Sequence, residues 1–340
     1  MTTPLTSPRA ASARTTSAPG AHGLVWSVLR LHRVALWGWL LLVVAVTVAM
    51  LWAYGPGFDA AVADLRGRCR ENAEDCYFPG GTWLGKYDSA VYFTTLALAH
   101  LPLLIGAWAG AALIGRELEN GTAQLAWTQS VPPARWLATK LTVPALLITA
   151  GMAVLVPVHH LMWYSGQDLL WTDWSGQDGF RSNGTVTFAY ALCGLAVGVL
   201  AGLVVGRALP ALGVAVAAVL AVVTLGNEYR MSLWPTVTVT GAEALTLPDK
   251  ALLLDRGVLT DEGVRIANNM ACTDADGAAG LRRCLDSNEL SEIWATYHPH
   301  SHFWPLQFAE TGIVLGVAAL TVAAAFVLLH RRTAATGAAV

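Results

Sequence analysis

Six blocks of about 20 residues, rich in Leu, Val, Ala and Trp, alternate with polar stretches along the chain. They run roughly Val34 to Tyr54, Ala90 to Ile114, Leu141 to Tyr164, Val186 to Val205, Ala211 to Asn227 and Trp304 to Leu329. Apart from Glu310 in the last block, none contains Asp, Glu, Lys or Arg. At about 1.5 Å of rise per helical residue, each block is long enough to cross roughly 30 Å of hydrocarbon. The pattern predicts an all-α membrane protein with six transmembrane helices. A secretory leader does not explain the first block, because a leader's apolar core is only about 7–15 residues and ends at a small-residue cleavage site.

The polar stretches differ in kind. Met1 to Gly23 is Thr, Ser, Ala and Pro with two Arg, a composition that cannot bury enough apolar surface to order itself, and it reads as a disordered tail. In residues 24–33, LVWSVLRLHR, the apolar Leu24, Val28 and Leu31 recur at helical spacing opposite Arg30 and Arg33. That predicts an amphipathic helix lying in the membrane interface, with simple extension of the first span as the alternative. The fourth and fifth spans are joined only by Gly206 to Pro210 and must form a tight hairpin. Gly194, Gly198 and Gly202 recur at spacing four, which lets another helix approach closely, either inside the bundle or in a second copy. Residues 228–303 form the largest polar segment, long enough for a small folded cap with short helices. Residues 330–340 form a closing tail.

Composition agrees with this picture: 55% hydrophobic, 13% charged, and a mean hydropathy of +0.49. Charge then gives the orientation. Arg9, Arg14, Arg30, Arg33, Arg116, Arg135, Lys140, Arg207, Arg331 and Arg332 share one face with only two acids, Glu117 and Glu119. The other face is acidic. Basic residues beside span ends mark the cytoplasmic side, so both termini and the stretch Gly115 to Lys140 are expected there, in a plasma-membrane protein. Four of the five cysteines, Cys69, Cys76, Cys272 and Cys284, then fall outside. An oxidising exterior favours pairing Cys69 with Cys76 and Cys272 with Cys284, although spacing alone leaves crossed pairs and free thiols open. Cys193, inside a span, reads as a packing residue.

Candidate chemistry is sparse. Gly80 to Lys86 fits G-x-x-x-x-G-K, but Tyr87 stands where a phosphate loop needs Ser or Thr, and no strand-then-helix frame surrounds it. His100, His159, His160 and the HPHSH run from His298 to His302 offer no converging set of three or four ligands, so no metal and no catalytic residue is assigned. Glu310 is costly inside a span. It should face a partner or a wet cavity, which makes it a pathway or gate candidate, unless the helix starts late and leaves it at the interface.

In Gly115 to Lys140, GRELENGTAQLAWTQSVPPARWLATK, Gly121 can stop the second helix, and Thr122 can cap a short helix over Ala123 to Gln129. Ser130, followed by Pro132 and Pro133, can start the next. This run resembles the loop between the second and third spans of type-2 ABC transporter permeases at Arg116, Glu117, Glu119, Gly121, Thr122, Thr128, Gln129, Ser130, Arg135, Trp136 and Lys140, and the six-span plan and amphipathic entry helix resemble actinobacterial members of that family. FWPLQFAETG around Glu310 is similar too. The resemblance implies a permease subunit of an ATP-driven exporter, with Arg116, Glu117, Glu119, Gly121, Thr122, Gln129 and Arg135 coupling it to a separate ABC ATP-binding subunit. It also implies a second permease copy, identical or not, with ATP and Mg held by the partner chain and no cofactor or enzymatic activity in this one. Partners are then that subunit, the second copy and the bilayer, with no nucleic acid. A secondary transporter and a non-transporting membrane sensor or anchor are the alternatives; the first would need several ionisable groups at mid-membrane.

Overall fold

The computed structural model describes residues 29–30, 33–68, 81–128, 131–170 and 173–337. Met1 to Gly23, most of the 24–33 segment, Cys69, Cys76, Gln129 and Ser130 lie outside them. Among the described residues, six helices are long and apolar enough to cross a membrane, and the chain is a multi-pass membrane protein. Helix α1 (Arg33–Trp52) passes through a π-helical turn at Ala53–Gly57, which contains Pro56, into α2 (Phe58–Arg68). The remaining spans are α3 (Trp83–Glu119), α5 (Pro133–Leu170), α7 (Val186–Val205), α8 (Ala208–Tyr229) and α10 (Phe303–Gly337). Short helices α4 (Thr122–Thr128) and α6 (Gln177–Ser182) sit in the connections.

The apolar blocks mark the spans, yet several helices overrun them. Helices α3 and α5 have 37 and 38 residues, roughly 55 Å each at 1.5 Å per residue and well beyond the hydrocarbon. Thr82 sets the early start of α3, since its hydroxyl accepts from the Gly85 amide at 3.0 Å. The phosphate-loop-like run therefore leads into a helix N-terminus, with Lys86 placed over the Trp83 ring at 4.3 Å.

Helix α7 is the centre of the bundle, and its glycine stripe packs within the chain. A Cβ at Gly194 would stand 2.3 Å from the Leu103 carbonyl oxygen, and one at Gly198 would stand 2.3 Å from that of Ala107. On the opposing helix, Gly106 and Gly110 would meet the Ala191 and Leu195 carbonyls at 2.4 and 2.5 Å. Glycines on both sides bring α3 and α7 into backbone contact, the geometry small residues give membrane helices. Gly206, at φ +70°, closes α7 with its amide on Gly202 O at 2.9 Å and turns the chain into α8.

The large segment after α8 departs from the helical cap expected of it. Strands β1 (Val237–Thr240), β2 (Leu252–Thr260), β3 (Arg265–Ala267) and β4 (Leu290–His298) form an antiparallel sheet in the order β1-β4-β2-β3. One helix, α9 (Gly277–Ser287), packs Leu281 and Leu285 onto Val258, Ile293 and Ala295. LSEIWATYH and LLLDRGVLT carry the aromatic and branched side chains that fit a pleated surface, a stronger signal than segment length. Cys272 and Cys284 are joined, with Cα atoms 5.6 Å apart, and staple α9 to the preceding loop. Cys193 is a buried free thiol.

The cap is tied to the spans at several points. The buried His298 ring bonds Met231 O at 2.9 Å through Nε2 and His302 at 2.9 Å through Nδ1. Trp174 donates to Lys250 O at 2.7 Å, and Lys250 pairs with Asp168 at 2.8 Å. The HPHSH histidines thus serve packing and docking, His300 standing against Trp174 and Phe303.

Candidate functional site

Opposite the cap, the polar run between α3 and α5 folds back on the ends of the spans. Gly121, at φ +69°, stops α3 as its left-handed conformation allows. Helix α4 follows, its Thr122 hydroxyl donating to Glu117 O at 3.2 Å. Ala123 is fully buried, and Trp127 meets Trp136 edge to face at 5.5 Å. Leu125 is 56% exposed.

Two acids hold this loop. Glu117 receives the Lys140 ammonium at 2.5 Å and the Trp136 indole N–H at 2.8 Å, linking the end of α3 to the start of α5. Lys140 is 5% exposed and therefore depends on that carboxylate. Glu119 accepts the Ala208 amide at 3.2 Å, placing negative charge on the N-terminus of α8. Close approach at Gly115, where a Cβ would stand 2.7 Å from Ala208 Cα, brings these helix ends together. From α10, Arg332 donates to the Leu203 and Val204 carbonyls at the end of α7. The short helix bonds to the end of α3 through Thr122 and packs Trp127 on Trp136 of α5, while Glu117 and Glu119 tie that end of α3 to α5 and α8, so force applied to α4 reaches three spans by way of α3.

The sequence-predicted residues divide accordingly. Glu117 and Gly121 build the loop, Glu119 builds it with an exposed side chain, and Arg116, Thr122 and Arg135 are exposed. Gln129 lies outside the described residues.

A second polar cluster occupies the cap-side half of the bundle. Glu310 is 1% exposed and faces a partner: Arg230 donates to its two oxygens at 2.6 and 3.1 Å, and Tyr190 adds a bond at 2.8 Å. Arg230 also lies 4.3 Å over the Phe180 ring and donates to Asn227 at 2.9 Å. The helix does not start late: α10 starts at Phe303, so Glu310 lies within it, and its carboxylate is enclosed by protein.

Helix α6 is wedged beside this pair. Gln307 clamps it by donating to Phe180 O at 2.6 Å and accepting the Val186 amide at 3.1 Å. Arg181, 3% exposed, pairs with Asp178 at 2.6 Å and stands 3.3 Å from His100 Nε2. Buried His159 bridges Thr95 at 2.9 Å and Asn183 at 2.8 Å. Cavities of about 330 and 390 Å³ flank α6, and Gln177 and Asp178 line both.

Arg230, Arg181 and Asp178 were not singled out from sequence. Their signal is position: Arg181 and Arg230 stand beside span ends on the acidic face, where a basic residue drawn into the bundle needs an acid to hold it. The partners lie 3 and 80 residues away respectively.

A family model described as "ABC-2 membrane transporter related" matches residues 41–230, from within α1 to the Arg230 turn. No curated protein and no solved structure matches the chain.

Proposed function

Because the chain belongs to the ABC-2 membrane transporter related family, whose model supports a permease of an ABC transporter, we propose that it is the membrane-spanning subunit of an ATP-driven exporter in the plasma membrane. Its partner is a separate ABC ATP-binding subunit seated on α4, on the cytoplasmic face with both termini. Two permease copies complete the transporter, and ATP and Mg belong to the ATP-binding chains. The observation that carries this reading is the double clamp at Glu117 and Glu119, which fastens the end of α3, where α4 begins, to α5 and α8 and so makes α4 a handle on three spans. Without those bonds the loop would absorb a push instead of transmitting it.

At the other end, the Arg230–Glu310 pair and the α6 wedge act as the closed outer gate. The polar groups among the residues lining the two cavities, Asp178 and Gln177 in both, and not the enclosed Glu310, offer contacts to cargo.

Charge reversal tests the handle. Glu119→Arg is expected to lower co-purification with the ATP-binding subunit and coupled ATPase activity roughly tenfold, equivalent to about 1.4 kcal/mol. Since Glu119 also caps α8, Leu125→Asp supplies an independent probe that leaves the cap in place, and it should weaken assembly comparably. Unchanged association and ATPase rate in both variants would remove α4 as the docking point.

A further inference from the structure

Beside the handle, α1, α3 and α5 enclose an apolar groove whose walls include Trp39, Ile105, Trp108 and Pro144, with Arg116 at its mouth. We propose that this groove is a site for one anionic glycerophospholipid of the adjoining leaflet, an acyl chain lying along α3 and the phosphate meeting Arg116. The inference concerns a lipid bound to the permease itself and does not depend on the exporter reading.

Length supports this occupant. From Ile105 to Arg116 along α3 is about 16 Å at 1.5 Å per residue, close to the roughly 15 Å depth of one hydrocarbon leaflet. A chain filling the groove therefore brings its headgroup to the guanidinium.

Charge supports the anionic class. Both acids near Arg116 in sequence are engaged elsewhere, Glu117 by Lys140 and Trp136 and Glu119 by the Ala208 amide. Arg116 itself is exposed and has no ion-pair partner among the described residues. A guanidinium at a membrane surface is well matched to a phosphate through paired N–H donors. Its neighbours in the groove are apolar, so an anionic headgroup reaching the guanidinium meets no competing carboxylate there.

The groove is also built into the packing. Trp39 donates its indole N–H to Leu147 O at 3.1 Å, and its ring fills the space at Gly151, where a Cβ would lie 2.5 Å from Cζ2. This holds one wall in place while Trp108 remains 44% exposed on another.

Native mass spectrometry of the detergent-purified full chain, titrated with phosphatidylglycerol or phosphatidylcholine of matched chains, tests the site. The wild type should retain phosphatidylglycerol preferentially. Arg116→Gln should reduce its adduct about fivefold and abolish the preference, the scale expected for one basic group at an anionic surface. Ala112→Phe, which fills the groove, should reduce both adducts, with melting temperature confirming the fold. Arg207→Gln removes an equal charge from the same face and should leave adducts unchanged. Wild-type adducts in both groove variants, or an equal loss in Arg207→Gln, overturns the proposal.

Discussion

Arg230→Met is expected to lower the thermal midpoint of the detergent-solubilised protein by on the order of 10 °C, while the double variant Arg230→Met/Glu310→Leu recovers most of the loss. The single change strands a carboxylate whose surroundings are closed: the two side chains are 1% and 2% exposed, so neither is screened by solvent. Breaking such a pair from one side typically costs about 3–5 kcal/mol, because the remaining charge is buried without compensation. Replacing both partners by apolar side chains removes that penalty. Tyr190 would lose its acceptor in the double variant, so recovery should be incomplete. Glu310→Gln, which retains an oxygen for Tyr190 and Arg230, should fall between the two. A single variant as stable as the wild type would mean that the pair is not enclosed as described. If the pair is also the outer gate, Glu310→Gln should alter transport with assembly intact.

Gly198→Leu should nearly abolish recovery of monodisperse protein. The added Cβ alone meets Ala107 O at 2.3 Å and Ala111 N at 2.9 Å. Both are backbone atoms, so relief requires separating α3 from α7 along their length. Ordinary overpacking costs about 1–3 kcal/mol, and a four-carbon side chain between two backbones should exceed that range. Gly316→Leu is the matched control, because nothing stands within 4 Å of a Cβ there. Fluorescence-detected size-exclusion chromatography of the two variants reads the contrast directly. Equal recovery would show that the stripe does not hold the bundle together.

These two sites show what was legible in the sequence and what was not. The glycine spacing announces close approach, since it is local to one helix, but its partner emerges only when α3 lies against α7. The six spans were legible for the same local reason, and so was the stop at Gly121, whose left-handed φ of +69° suits a residue without a side chain. For Glu117 the resemblance implies a coupling role and says nothing of a buried partner. Its pairing with Lys140 spans 23 residues and exists only once α3 and α5 are adjacent. Arg230 and Glu310 meet across 80 residues, beyond any periodicity. The sheet has a different kind of signal: segment length suits short helices as well as strands, and only the branched and aromatic content of LLLDRGVLT and LSEIWATYH favours a pleated surface.

Burial also reassigns roles within the candidate site. Glu310, selected as the one acid inside a span, is locked to Arg230 and Tyr190, whereas Asp178 and Gln177 face the cavities. A charge inside a span therefore located the polar half of the bundle without identifying the groups that line its cavities.

The handle itself can be examined in the native membrane by placing a genetically encoded photocrosslinker at Leu125, exposed on α4, and separately at Met270, exposed on the cap. Adducts are then identified by mass spectrometry. An ABC ATP-binding subunit captured from position 125 and not from position 270 is the predicted result; capture from the cap, or none from α4, would contradict it.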